Sequence, residues 1–322
     1  MPVRVQNDLP VKKILEKENI FVMDEYRAAH QQIRPISIGL LNLMPLKEDT
    51  ELQILRALSN TPLQVDVTFV RVTSHVSKNT STSHIYKFYE SFEQIKKQKF
   101  DGFIITGAPV EQMPFEEVDY WEELREIMDW TSSHVTSTLH LCWGAQAGIY
   151  YHYGIDKVPL PQKKFGVFAH HVRNRKVPIV RGFDDVFYAP HSRHTETPQD
   201  LLEQDDRIMI LADSEEAGVF LCMAEDGRKI FVMGHPEYDR ITLDKEYKRD
   251  AEKGLDIQIP VNYYPDDNPE NKPNLMWRGH SNALYSNWLN YYVYQSTPFD
   301  LYGTPDLKQD YSAFMRDIYS PE

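Results

Sequence analysis

Between Thr138 and Gly148 the chain reads Thr138-Leu139-His140-Leu141-Cys142-Trp143-Gly144-Ala145-Gln146-Ala147-Gly148. A buried-strand pattern runs straight into a cysteine, then into small residues suited to a tight turn and a closely packed helix. That is the layout of a nucleophile elbow, and it constrains the fold more than any other segment. Such a turn projects its side chain off the carboxyl ends of an open sheet, where sheets of this kind bind ligands. A cysteine at a helix N-terminus also sits at the positive end of the dipole, which favours thiolate.

The flanking sequence supplies the sheet. Ile36 to Leu43 is a nearly continuous apolar run, the mark of a strand covered on both faces. Glu48 to Ser59 carries Leu52, Leu55 and Leu58 at helical spacing, and Gln64 to Val70 alternates with the period of a strand. Phe103 to Thr106 reads as a buried strand closed by Gly107-Ala108-Pro109, and a helix follows with Tyr120, Trp121, Leu124, Ile127 and Met128 on one face. Thr136 to Leu141 is the fourth strand. This alternation predicts an α/β fold with a mostly parallel sheet sandwiched by helices.

Five further short strands are predicted at Val177–Val180, Asp185–Tyr188, Ile208–Ala212, Val219–Met223 and Lys229–Met233. They either extend the sheet or build a small accessory one. Residues 262–274, rich in Pro, Asn and Asp, read as loop, and Asn282 to Gln295 as an aromatic-rich helix. With no repeat and no linker, 1–322 reads as a single domain with an N-terminal arm, 1–33, and a C-terminal tail, 297–322.

Composition narrows the partners. Lys and Arg number 35 against 48 Asp and Glu, a net charge of −13. That argues against nucleic acid, which needs a clustered basic face. No apolar run approaches the ~18 residues of a membrane span, and no secretory h-region follows Met1. A soluble, cytoplasmic protein is expected. Two cysteines make no disulfide framework. Cys222, inside Val219-Phe220-Leu221-Cys222-Met223, reads as a buried structural thiol.

A second buried strand, Lys229 to Met233, ends in Gly234-His235-Pro236-Glu237. A thiol acyl-transfer site needs a base near the sulfur and a group that fixes the imidazole tautomer. His235 fits the first role and Glu237 the second. His170-His171 and Pro190-His191-Ser192-Arg193-His194-Thr195-Glu196 lack the cysteines or the three convergent ligands of a zinc site. They are read as loop or substrate-pocket residues, with no metal expected.

Cys142-x-Gly144-x-Gln146 with His235-Pro236-Glu237 resembles the class I glutamine amidotransferase-like superfamily, whose motif is Gly-x-Cys-x-Gly-x-Gln. Here the first Gly is His140, which points to a specialised branch. Leu41-Asn42-Leu43-Met44-Pro45-x-Lys47, Thr106-Gly107-Ala108-Pro109, His140 to Ala147, and Asn287-Trp288-Leu289-Asn290-Tyr291-Tyr292-Val293-Tyr294-Gln295 are similar to the homoserine O-succinyltransferase/O-acetyltransferase family. The resemblance runs over essentially the whole chain.

It implies acyl transfer from an acyl-CoA to the γ-hydroxyl of L-homoserine, a step into methionine synthesis, with the acyl-CoA as co-substrate and no other cofactor. Cys142 would carry the thioester, His235 act as base and Glu237 orient it. The Trp143 N–H and Lys47 would face the oxyanion. Lys163, Ser192 and Arg249 would bind homoserine. In the family, Gly at the position of Glu111 goes with succinyl-CoA and Glu with acetyl-CoA, with Ser192 a second specificity position. A carboxylate there would fill the space and repel the succinyl carboxylate, so Glu111 points to acetyl-CoA. Succinyl-CoA as donor, a glutaminase-type hydrolase and a non-enzymic thiol sensor stay open as alternatives. The aromatic C-terminal helix and tail offer a homodimer interface.

Overall fold

The computed structural model describes residues 3–6, 8–18, 20, 22–23, 34–75 and 79–297. Its strands are β1 (Val3–Arg4), β2 (Val22–Met23), β3 (Ile36–Leu41), β4 (Val65–Arg71), β5 (Tyr89–Ser91), β6 (Phe100–Ile105), β7 (Val135–Leu141), β8 (Val158–Val172), β9 (Val186–Glu196), β10 (Ile208–Ser214), β11 (Gly218–Ala224) and β12 (Lys229–Val232). The helices are α1 (Lys12–Lys17), α2 (Lys47–Leu58), α3 (Thr82–Phe88), α4 (Phe92–Ile95), α5 (Trp121–His134), α6 (Trp143–Tyr153), α7 (Gln199–Glu203), α8 (Thr242–Glu252) and α9 (Arg278–Asn287).

The strands join one sheet in the order β2-β1-β4-β3-β6-β7-β12-β11-β10-β8-β9, with β5 beside β4. From β2 to β12 the neighbours run parallel; from β12 to β9 they run antiparallel. The parallel strands are buried on both faces, as helices on each side require. Ile104 and Leu139 belong to one core layer with Leu55 of α2 and Leu284 of α9. Phe103 and Ile105 point the other way, among Leu124 of α5 and Trp143 of α6. α6 stops at Gly154, whose φ of 75° is the left-handed C-cap that glycine adopts without penalty.

The structure corrects several expected elements. Val177–Val180 is not a strand: Pro178 opens a 3₁₀ turn over Pro178–Val180, because proline has no N–H for a ladder. The expected strand at Asp185–Tyr188 is the start of β9, which pairs with the unforeseen β8 through Phe165↔Ser192 and Gly166↔His191. The two histidine clusters lie in these strands and not in loops. The C-terminal helix is α9 followed by a π-helical segment, Trp288–Tyr294. Part of the N-terminal arm is built into the sheet: β1 pairs with β4 through Val3↔Val65, and Leu9, Val11 and Leu15 are buried. The tail beyond Thr297 lies outside the described residues. No helix among the described residues is long and apolar enough to cross a membrane.

Candidate active site

β7 and β12 are parallel neighbours with Leu141 opposite Val232, so the segments that leave their carboxyl ends emerge side by side. One carries Cys142 and the other His235. Cys142 caps α6 with φ 49° and ψ −116°, a conformation costing of order 1–3 kcal/mol in a non-glycine residue. Its N–H donates to the Val232 carbonyl at 2.7 Å, which ties the turn to β12. Cys142 is a free, buried thiol.

His235 is fixed from three sides. Its backbone N–H donates to the Pro190 carbonyl at 2.8 Å, its ring lies on Tyr238 with centroids 4.1 Å apart, and its Nδ1 is 2.8 Å from Glu237 Oε1. That leaves the other ring nitrogen for the Cys142 sulfur, which lies beside the imidazole. Burial pushes the imidazole down. The Cys142 and Glu237 charges and hydrogen bonds outweigh it, and His235 stays protonated well above the ordinary histidine range. The arrangement is a buried row of Cys142, a protonated His235 and Glu237.

The neighbouring strand end brings a backbone wall to the sulfur. A Cβ on Gly107 would stand 3.3 Å from the Cys142 Cβ and 3.6 Å from His235 Cε1. Thr106, beside it, accepts the Leu43 N–H at 2.8 Å, which links the β3 and β6 ends. Lys47, at the start of α2, is buried and donates from Nζ to the Asn42 carbonyl at 2.5 Å. The Trp143 N–H is the first of α6, among those a helix leaves unpaired at its start.

The homoserine-binding residues expected from sequence gather beyond Tyr238. Ser192 Oγ donates to Glu246 Oε2 at 2.5 Å, Lys163 Nζ lies 3.6 Å from the same oxygen, and the Tyr238 hydroxyl donates to Glu246 Oε1 at 3.0 Å. Arg249 is on the same helix, half exposed, its guanidinium bound to Asp250 at 2.6 and 2.9 Å. The organiser of this cluster, Glu246, was not singled out from sequence; it sits in the run Asp244–Glu252, whose charge density reads as a solvated face. Tyr238 was missed too, although it directly follows His235-Pro236-Glu237.

Glu111 is not a solvated loop acid: it is half-buried and accepts the His194 N–H of β9 at 2.8 Å. Next to it runs Arg193, 2% exposed, donating to the Thr195 carbonyl at 2.8 Å and to the Ala217 carbonyl. His191 and His170 form a buried pair with Nε2 atoms 2.9 Å apart, and Arg193 Nε donates to His191 Nδ1. His140, in place of the superfamily glycine, finds room because Gly148 faces it: a Cβ on Gly148 would come within 2.7 Å of the imidazole. Cys222 is fully buried, and burial pushes its thiol far up, as expected of a structural cysteine.

The family model for homoserine O-succinyltransferase matches residues 2–299. The chain belongs to that family. Among curated relatives, the homoserine O-acetyltransferase of Lachnoclostridium phytofermentans is 68% identical over 301 residues, covering 94% of this chain and 100% of that one. Those of Agathobacter rectalis and Geobacillus kaustophilus are 67% and 59% identical, each covering 93% of this chain and 97% and 99% of theirs. Solved structures of glutamine amidotransferases from Thermotoga maritima and Methylobacillus flagellatus share the fold, with TM-scores of 0.52 and 0.50. The first is 11% identical and covers 81% of this chain and 99% of its own; the second is 10% identical and covers 85% and 100%. The family fold is thus the amidotransferase-like α/β sheet that the elbow motif predicts, on a chain of the homoserine acyltransferase family.

Proposed function

We propose that this family member transfers an acetyl group from acetyl-CoA to the γ-hydroxyl of L-homoserine through a thioester on Cys142. The observation that carries the reading is the buried Cys142–His235–Glu237 row at the shared end of β7 and β12, opening beside the Glu246 cluster. The Cys142 sulfur attacks the thioester carbonyl, the carbon–sulfur bond to CoA breaks, and His235 gives its proton to the departing CoA thiolate. Acylation removes the negative sulfur that held His235 protonated, so the imidazole becomes neutral and able to act as a base. It then takes the proton from the homoserine γ-hydroxyl as that oxygen attacks the acyl carbon. The bond to Cys142 breaks, and thiolate and imidazolium are restored together.

The developing oxyanion faces the Trp143 N–H and the Lys47 ammonium. Homoserine brings one ammonium and one carboxylate. Glu246 suits the first, and Lys163 and Arg249 suit the second, with the Ser192 hydroxyl between them. A glutaminase would have no use for this alcohol-side cluster, and a thiol sensor none for a base on the sulfur.

Acetyl over succinyl rests on Glu111. Its carboxylate is tied to the β9 backbone two residues from Ser192 and cannot swing away from a second carboxylate without losing that bond. The homoserine O-acetyltransferase names of relatives at 56–68% identity support the same donor. Acyl-CoA as co-substrate also suits a cytoplasmic enzyme with no further cofactor.

The test is intact mass after mixing with acetyl-CoA or succinyl-CoA in separate tubes, without homoserine, beside Cys142→Ala. An acetyl adduct absent from Cys142→Ala and discharged by homoserine is the expected result. A succinyl adduct in its place overturns the donor, and no adduct from either overturns the covalent route.

A further inference from the structure

Beneath Lys47 lies a polar network that the reaction as written does not use. Glu51, one turn further along α2, is completely buried. Its Oε1 accepts the Tyr89 hydroxyl at 2.7 Å and faces His84 Nε2 at 2.8 Å, while its Oε2 is buried with no hydrogen-bond partner. Asn42 connects the two charges: its carbonyl accepts Lys47 Nζ, and its amide donates to the Tyr89 oxygen at 2.9 Å. Asn42 also leads directly into Leu43, which is bonded to Thr106 beside the Gly107 wall of the Cys142 site.

A buried carboxylate with one bare oxygen is costly to keep in a helix that needs no charge there. It is warranted where a nearby cation must stay charged in a dry site. We propose that Glu51 is a positioning residue, the buried counter-charge that keeps Lys47 an ammonium beside the oxyanion, with Asn42 and Tyr89 as the struts that hold the two at fixed separation. This rests on Lys47 acting at the oxyanion, the role given to it above.

The other groups around Lys47 do not replace Glu51. Glu48, on the same helix, is half exposed and lies 3.8 Å from His84. Arg71, at the end of β4, adds a like charge, and Tyr89 of β5 is held neutral far above the ordinary tyrosine range by burial and by Glu51. Burial pulls Lys47 down to about 8, and Glu51 is the group that pulls it back up.

Glu51→Gln isolates the charge. Its amide oxygen can accept from Tyr89 and His84 as before, and its NH₂ occupies the place of the unpartnered Oε2, so the melting temperature is expected to be unchanged or higher. The readout is the pH dependence of acetyl-enzyme formation, followed by quenched intact mass. In the wild type the rate falls as Lys47 loses its proton near pH 8. In Glu51→Gln that alkaline limb moves down by roughly one to two pH units, from the interaction of two unit charges at the ~5–6 Å spacing of i,i+4 helix neighbours in a protein-like dielectric. The acid limb stays in place. Glu51→Asp, which keeps the charge, leaves the alkaline limb near its wild-type position.

A stable Glu51→Gln protein whose alkaline limb does not move overturns the proposal. If Glu51→Gln does not fold, Glu51→Met is measured in its place and must show the same displacement. Lys47→Met separates the two layers of the argument. A loss of about 10²-fold in acetyl-enzyme formation supports Lys47 at the oxyanion. Wild-type rates in Lys47→Met remove both roles, whereas a slow Lys47→Met beside an unmoved Glu51→Gln limb removes that of Glu51 alone.

Discussion

Acidification is expected to unfold this protein through its histidines, and the size of the effect follows from where three of them sit. His140, His170 and His191 are fully buried inside the sheet and its packing. Burial holds all three neutral: His170 falls to about 3, and His140 and His191 fall well below the ordinary 6.5, with neighbouring positive charges adding to the effect. In the unfolded chain each binds a proton below pH 6.5, whereas in the folded protein none does until far lower. The unfolded state therefore holds more protons, and stability falls as pH falls. Each ring costs about 1.4 kcal/mol per pH unit well below 6.5. Integrated from pH 7.5 to 5, that is about 2 kcal/mol per ring and about 6 kcal/mol for the three, against a total of ~5–15 kcal/mol for a typical domain. His235 has the opposite sign. It stays protonated in the folded state, so its contribution is complete below pH 6.5 and is lost only as pH rises through its own elevated midpoint. Between pH 7.5 and 6.5 it therefore works against the acid slope, and below 6.5 it adds little further, so the fall from the three rings shows most clearly between pH 6.5 and 5. Urea unfolding followed by tryptophan fluorescence at pH 7.5, 6.5, 5.5 and 5 measures the slope directly. His140→Asn should reduce the net proton uptake on unfolding near pH 5 by about one. A fall of less than about 2 kcal/mol between pH 7.5 and 5 refutes the reasoning, because the buried rings would then be taking up protons inside the intact fold.

Three other outcomes are expected. Glu237→Gln removes a carboxylate 2.8 Å from His235 and should slow acetyl-enzyme formation about 10²-fold, with the His235 NMR titration moving to lower pH. Glu246→Gln should raise the KM for homoserine about tenfold while acetyl-enzyme formation stays within roughly twofold of wild type, because the acid touches the alcohol side alone. Iodoacetamide followed by peptide mass spectrometry should label Cys142 and spare Cys222, whose burial holds it as a thiol.

The sequence displayed its chemistry where local pattern and function coincide. A strand that runs into Cys142 and a strand that runs into His235 are both visible as apolar runs with a polar end, and they need only be neighbours to make the row. That they are neighbours, β7 against β12, is a topological fact that no local pattern carries. β8 is hidden because Pro159 and Pro161 lack the N–H a ladder uses and Lys163 and Lys164 interrupt any apolar pattern, although in the structure the strand pairs with β9 on either side of a register shift between Pro159 and Lys164. His170 and His171 show the limit of cluster reading. On a strand adjacent residues face opposite sides, so one is sealed against His191 and the other meets solvent. The helix α2 announces itself through Leu52, Leu55 and Leu58. Its buried Lys47 and Glu51 look from sequence like ordinary surface charges. The same disguise covers Glu246, one of three acids of α8, with Asp244 and Asp250, whose side chains are largely covered.

β12 has a parallel neighbour on one side and an antiparallel neighbour on the other, so it is the seam between two ways of building a sheet. The parallel side supplies the sulfur and its backbone wall; the antiparallel side supplies Lys163 and Ser192 and the backbone that anchors Glu111. On the function proposed above, the choice of alcohol and the making of the thioester are separate inheritances. On that reading, residues of β8, β9 and α8 can drift to accept a different alcohol while β7 and β12 stay as they are. A designer seeking a new ester from this scaffold has one margin of the sheet to rewrite and another to leave untouched.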